Sequence, residues 1–337
     1  MLKYGVIGYG YWGPNLVRVF NAARGSSVKR VADLSVDNLN KVHSTYPTIE
    51  ITTDYRDLID DADIDVIVVA TPIETHFTFA MEALKAGKHV YIEKPMAATV
   101  GDAEKLLEEA ARRDLLIFVD HTFIYTGAVL KIHELMDSGK IGDFLYYDSV
   151  RINLGLFQSD VNVVWDLAVH DISILDHIIP QKPQAVSCQA ISIIKNQPES
   201  LAYLTLYYAD NKMAHIHVSW LSPIKIRQTL IGGSKQMIVY NDLELSEKVK
   251  IYDKSVELVT DPDEVTRLRV GYRSGDMLAP NLDGTEALSQ IADHFNDCVT
   301  TGRQPITNGE TGARIVQILE SAMLSAARKG EVVALEF

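Results

Sequence analysis

Apolar positions in the first third of the chain follow two alternating periods. Short, continuous and largely β-branched runs read as buried strands at residues 4–7, 28–32, 65–70, 89–92 and 115–119. Between them the apolar residues recur at helical spacing. A helix is expected at 14–20, and another runs from a cap at Ser35 through Tyr46, where Pro47 ends it. Further helices are expected at 54–61, at 74–86 before Gly87, and at 100–113. Strand and helix in turn, with short connections, predict a parallel sheet covered on both faces. Beyond residue 121 the pattern changes. A helix at 128–138 precedes alternating segments at 144–154, 185–194, 202–208, 214–220, 227–231 and 236–240, which predict an antiparallel sheet. A helix at 165–179 interrupts them. Residues 253–284 show little periodicity and read as a long loop, functional or disordered. Two amphipathic helices, 286–300 and 310–327, end the series.

The chain is organised around its first strand–turn–helix. After Tyr4-Gly5-Val6-Ile7 comes Gly8-Tyr9-Gly10-Tyr11-Trp12-Gly13, then Pro14 and the helix, then a strand that stops at Asp33. Gly8 permits a tight turn, Gly10 lets the backbone approach a pyrophosphate, and Gly13 lets helix and strand pack closely. The helix start offers free N–H groups and a positive dipole end to phosphate. Asp33 stands where a carboxylate receives the ribose hydroxyls of an adenosine, so the expected cofactor is NAD. A 2′-phosphate would face a like charge there, and Leu34-Ser35 supplies no arginine. The fold expected is α/β: a Rossmann doubly wound parallel sheet over residues 1–121, then a substrate-binding and oligomerisation domain over 122–337.

Composition narrows the function. The chain has 337 residues, of which 47% are apolar, as in an ordinary globular protein of two domains. A net charge of −13 argues against nucleic acid or an anionic membrane as partner. Cys188 and Cys298 have no metal-ligand spacing, so no metal is expected, and they fit a reducing compartment. The first strand begins almost at Met1 and no apolar run is long enough to span a bilayer, which together predict a cytoplasmic protein.

In an open α/β sheet, ligands bind beyond the carboxyl ends of the strands. Thr71-Pro72 and Glu93-Lys94-Pro95 sit at such ends. A lysine there can place an ammonium against a substrate hydroxyl and stabilise the alkoxide that develops. A second cluster, Trp165-Asp166-Leu167-Ala168-Val169-His170, sets Asp166 and His170 four apart, on one face of a helix. The imidazole suits a general base, with the carboxylate fixing its tautomer; a helix-start Asp and a packed core His would have the same spacing.

These residues resemble the glucose–fructose oxidoreductase / inositol dehydrogenase (Gfo/Idh/MocA) family. The resemblance rests on Gly8 to Gly13, Thr71-Pro72…His76, Ala86-Gly87-Lys88-His89-Val90…Glu93-Lys94-Pro95 and Asp166…His170, and spans essentially the whole chain. It implies an open-faced second domain, and a homodimer or homotetramer built through that sheet. It implies Lys94 as the catalytic lysine with Asp166 and His170 in proton transfer, and a cis Lys94–Pro95 peptide. Cofactor contacts are implied at Gly8, Tyr9, Gly10, Tyr11, Trp12, Gly13, Asp33, Thr71, Pro72, His76, Glu93 and Lys94. Many members carry a Gly pair before the Asp, where this chain has Val163-Val164-Trp165, so its substrate-side loop departs from the pattern.

Gly-Tyr-Gly-Tyr-Trp-Gly-Pro-Asn, with Arg151-Ile152-Asn153-Leu154-Gly155-Leu156-Phe157, resembles a branch of sugar-nucleotide 3-dehydrogenases. That likeness implies oxidation of the C3 hydroxyl of a UDP-N-acetylhexosamine or its uronate. Substrate contacts are then expected at Lys94, Tyr125, Arg151, Asn153, His170 and Arg273. Arg267, Arg269 and Arg273 in the long loop could receive a pyrophosphate, or form a solvated surface. Two other functions fit the same chain: a dehydrogenase of a free polyol or sugar, and a dinucleotide sensor without turnover. The sensor would need none of Lys94, Asp166 and His170.

Overall fold

A computed structural model describes residues 1–155, 161–257 and 271–337. The chain divides into two compact units, each discontinuous in sequence: residues 1–125 with 285–320, and 126–284 with 321–337.

In the first unit six parallel strands lie in the order β3-β2-β1-β4-β5-β6. They are β1 (Leu2–Ile7), β2 (Ser26–Ala32), β3 (Glu50–Thr52), β4 (Val66–Val69), β5 (His89–Glu93) and β6 (Ile117–Asp120). Helices α1 (Gly13–Ala22), α2 (Val36–Thr45), α3 (Arg56–Ile59), α4 (Ile73–Lys85) and α5 (Val100–Arg113) connect them. The order reverses between β1 and β4, which opens the crevice at which such sheets bind ligands. Ser35 caps α2 by accepting the Asn38 N–H, as its position before the apolar period predicts. The acidic run at 54–61 yields only the four-residue α3.

The boundary expected near residue 121 is one side of a discontinuous division. Residues 285–320, assigned from sequence to the second domain, belong to the first unit. The reason is aromatic packing. On the helix α8 (Ala287–Thr301), Phe295 is fully buried against Tyr4, Tyr91 and Phe118. The neighbouring Asn296 accepts the Tyr4 hydroxyl at 2.6 Å. The last helix, α9 (Gly309–Ala327), contains the third change of unit.

The second unit holds a nine-stranded sheet in the order β14-β13-β12-β11-β7-β10-β9-β8-β15, antiparallel except for the β7–β10 pair. Its strands are β7 (Phe144–Leu154), β8 (Ala185–Ile191), β9 (Leu201–Tyr207), β10 (Met213–Ser219), β11 (Leu221–Gly233), β12 (Met237–Asn241), β13 (Val249–Glu257), β14 (Gly271–Leu278) and β15 (Val333–Ala334). Burial alternates along β9 and β10, leaving one face outward. The helices are α6 (Gly127–Asp137) and α7 (Val169–Ile178). The stretch 253–284 is in part strand, since β13 reaches into it and β14 follows. Ladder hydrogen bonding outweighs the weak side-chain alternation there. The helix expected at 165–179 is two segments, a π-helical turn at Val164–Ala168 and then α7. Among the described residues no helix is long and apolar enough to cross a membrane.

Candidate active site

In the first unit the glycine loop has the shape its sequence requires. Gly8 adopts φ +98°, and a Cβ there would collide with the Ala70 carbonyl oxygen. A Cβ on Gly13 would meet the Gly8 carbonyl oxygen. A Cβ on Gly10 would meet nothing within 4 Å, so that side of its backbone is open to an approaching pyrophosphate. Asp33 is locked in place by donors. Its Oδ2 accepts the Tyr9 N–H at 2.6 Å, and its Oδ1 accepts the Ser35 N–H at 2.7 Å and Asn38 Nδ2 at 3.3 Å.

A cleft of about 510 Å³ opens beside these groups, lined by Gly8, Gly10, Asp33, Thr71 and Pro72. Its walls also include Leu34, and Thr53, Tyr55, Thr75 and Phe79, which the sequence pattern did not single out. The Tyr55 and Phe79 rings lie 4.6 Å apart. Their signal in sequence was only an aromatic after a short strand and another on the apolar face of α4. The open Gly10 backbone, the fixed carboxylate and the apolar wall fit an adenine dinucleotide.

Three loop residues divide their roles. Tyr9 is buried, Tyr11 is 95% exposed, and Trp12 is half-buried with its indole N–H donated to Asp120 Oδ2 at 2.8 Å. Trp12, expected to contact cofactor, braces the loop to the end of β6.

At the neighbouring strand end the Lys94–Pro95 peptide is cis and Lys94 is partly exposed. Glu93 pairs in register with Asp120. Its Oε2 is buried, and burial, reinforced by Asp120, pushes its carboxyl well above the usual range, toward the neutral form. Such a group can donate a hydrogen bond, which a carboxylate cannot. His76, expected as a cofactor contact, is 1% exposed. Its ring nitrogens face the carbonyl oxygens of Pro95, at 2.9 Å, and Thr71, at 2.8 Å. Tyr125 is likewise no surface group: its ring is buried between Phe118 and His294.

In the second unit Asn162 Oδ1 accepts the N–H groups of Val164 and Trp165, starting the π turn. Val163 and Val164, standing where the family pattern has glycines, are fully buried. Asp166 lies in the turn, and its Oδ2 accepts the Trp220 indole N–H at 3.1 Å. His170 follows in the first turn of α7, partly exposed, with a buried Nδ1. The four-residue spacing therefore crosses from π to α geometry, a local irregularity that recurs at functional sites. Arg151, expected at the substrate, is 4% exposed and committed elsewhere. Its Nε donates to Asp171 Oδ2 at 2.6 Å, and Ser149 donates to Asp171 Oδ1 at 2.7 Å. Asn153 remains half-buried on β7. Arg273 lies on β14, described as backbone alone, and Arg267 and Arg269, with Leu156 and Phe157, lie outside the described residues. Among the described residues no group of three His, Cys, Asp or Glu side chains could hold a metal ion.

These features define an NAD-binding oxidoreductase of two units. Residues 2–121 match the model of the oxidoreductase family, NAD-binding Rossmann fold, and residues 129–239 match the GFO/IDH/MocA C-terminal domain. The chain belongs to the Gfo/Idh/MocA family. It is 32% identical over 307 residues to the uncharacterized oxidoreductase YdgJ of Escherichia coli (strain K12), covering 86% of this chain and 83% of that protein. It is 23% identical to the scyllo-inositol 2-dehydrogenase (NADP(+)) IolW of Bacillus subtilis (strain 168), over 97% and 94% of the two chains. The fold is similar to that of UDP-N-acetylglucosamine 3-dehydrogenase GnnA from Acidithiobacillus ferrooxidans. That structure superposes with a TM-score of 0.82 at 20% identity, over 97% of this chain and 98% of its own.

Proposed function

We propose that this protein is an NAD-dependent dehydrogenase of a secondary alcohol, the C3 hydroxyl of a nucleotide-linked sugar such as UDP-N-acetylglucosamine. The observation that carries the reading is Lys94 at the end of β5, in the same row of strand ends as the glycine loop and Thr71-Pro72. NAD, held at Gly8 to Gly13 and Asp33, supplies the two-electron acceptor when bound. The chain supplies what the alcohol needs. His170 takes the hydroxyl proton, Asp166 orients it, and the Lys94 ammonium stabilises the oxygen as negative charge develops.

The likeness to GnnA supports a nucleotide-linked substrate. The likeness to IolW, over nearly the full length of both chains, supports a second reading, a free polyol or sugar. UDP-sugars, free sugars and inositols screened with NAD by absorbance at the NADH band separate the two. Turnover on UDP-N-acetylhexosamines alone is expected. Turnover on inositols alone establishes the second reading, and none on any alcohol leaves a sensor. We further propose a homodimer or homotetramer through the outward face of the second sheet, where Tyr203, Tyr207 and Met213 are exposed on one side. Sedimentation equilibrium tests this, and a monomer at micromolar concentration refutes it.

A further inference from the structure

His76 stands one turn inside α4, whose N-terminus follows Thr71-Pro72. From there its ring reaches two loops at once. Nε2 faces the carbonyl oxygen of Thr71, which lines the dinucleotide cleft, and Nδ1 faces that of Pro95, bonded directly to Lys94. At 1% exposure it has no water with which to trade these partners. Both acceptors are carbonyls, so a neutral ring donates to only one of them, and an imidazolium would be needed to donate to both. Burial, the larger influence, lowers the affinity of the imidazole for a second proton, and nearby Lys94 acts in the same direction.

We propose that His76 is the positioning residue for Lys94, donating from Nδ1 to the Pro95 carbonyl and so fixing the Lys94–Pro95 backbone relative to Thr71 in the wall of the cofactor cleft. The ring touches neither alcohol nor cofactor in this role. It acts by restricting where the Lys94 ammonium can be, a condition on which proximity effects depend steeply. The proposal rests on the reading of Lys94 as the group that meets the reacting oxygen.

The test uses two isosteric replacements that separate the nitrogens. In His76→Asn the amide nitrogen takes the place of Nδ1, and in His76→Gln it takes the place of Nε2. His76→Leu removes both ring nitrogens. All three are measured as full-length protein, for kcat, for NADH affinity by fluorescence titration, and for urea midpoint. His76→Leu should lower kcat roughly 10–100-fold while NADH affinity stays within about threefold, and His76→Asn should recover most of the loss while His76→Gln does not. Equal rates for the Asn and Gln variants would overturn the proposal. So would a fall in NADH affinity matching the fall in kcat, which would make His76 a cofactor contact. A lowered urea midpoint with unchanged kcat would show a purely structural histidine. Should His76→Leu fail to fold, the comparison of Asn with Gln decides alone. If the wild-type protein oxidises no alcohol, the dehydrogenase reading fails, and the inference is judged by Lys94 itself. Its rate of acylation by an amine-reactive ester at saturating NADH, followed by peptide mass spectrometry, should change in His76→Leu and return in His76→Asn. An unchanged rate would refute it.

Discussion

Trp12 and Asp120 are joined by a 2.8 Å hydrogen bond from indole to carboxylate, which ties the glycine loop to the end of β6. The other carboxylate oxygen accepts the Thr122 hydroxyl at 2.7 Å. With both oxygens engaged, Asp120 holds its place beside Glu93, and the loop is braced through Trp12.

Replacing Trp12 by Phe keeps the ring and deletes the donor. The loss of one hydrogen bond to a charged group is expected to cost about 1.5–3 kcal/mol, read as a lower urea midpoint at unchanged slope. NAD affinity should change little. If affinity drops while the midpoint stays, Trp12 is a cofactor contact and its link to Asp120 is incidental.

Asp33 is expected to set the choice between NAD and NADP. The carboxylate that the Tyr9 and Ser35 N–H groups hold would face a 2′-phosphate with like charge. In Asp33→Ser the ratio of kcat/KM for NAD over NADP should fall by at least an order of magnitude, about 1.4 kcal/mol. Steady-state kinetics with both cofactors check this, and comparable wild-type values would remove Asp33 from that role.

The contrast between these residues shows what a sequence makes legible. Gly8, Gly10, Gly13 and Asp33 were readable because a short local segment fixes their geometry, and strand, turn and helix follow one another without interruption. Trp12 and His76 were placed in the right neighbourhood but their protein partners were not legible, because their hydrogen bonds go to Asp120, Pro95 and Thr71, far along the chain or on the backbone. Arg151 was misread for the same reason: nothing local announces Asp171 as its mate. Phe295 moved the unit boundary because an aromatic on an amphipathic helix does not say which core it enters. The open wall of the cleft, Tyr55 and Phe79, has no motif at all.

Arg151 and Asp171 form an ion pair that is nearly fully buried in the second unit. Removing one partner leaves an uncompensated buried charge. Arg151→Met should destabilise the protein by about 3–5 kcal/mol, whereas Arg151→Met combined with Asp171→Leu should recover part of that loss. Chemical unfolding of the three variants measures it. A single variant of near-normal stability but raised substrate KM would return Arg151 to the substrate.

The last prediction concerns how Lys94 and His170 divide the proton chemistry of the alcohol. The site needs a base for the hydroxyl proton and a cation near the oxygen, and the two candidates belong to different units of the chain. Imidazole is the natural base near neutral pH, and Asp166, itself held by the Trp220 indole, can orient it. On this assignment His170→Ala lowers kcat by roughly 10²–10⁴ and removes the acid limb of the pH–rate profile. Lys94→Ala lowers kcat and leaves that limb in place, because the group that must lose its proton is still present. The opposite assignment makes lysine the base, which requires its pKa to be depressed, and then the limb disappears with Lys94→Ala. Trp220→Phe supplies an independent check, since it frees Asp166 from the indole without touching either candidate. It should lower kcat less than His170→Ala does and alter the position of the acid limb. NAD affinity should survive all three substitutions, because the expected grip on the dinucleotide lies at Gly8 to Gly13 and Asp33. A variant that loses cofactor affinity together with turnover would identify a structural residue in place of a catalytic one.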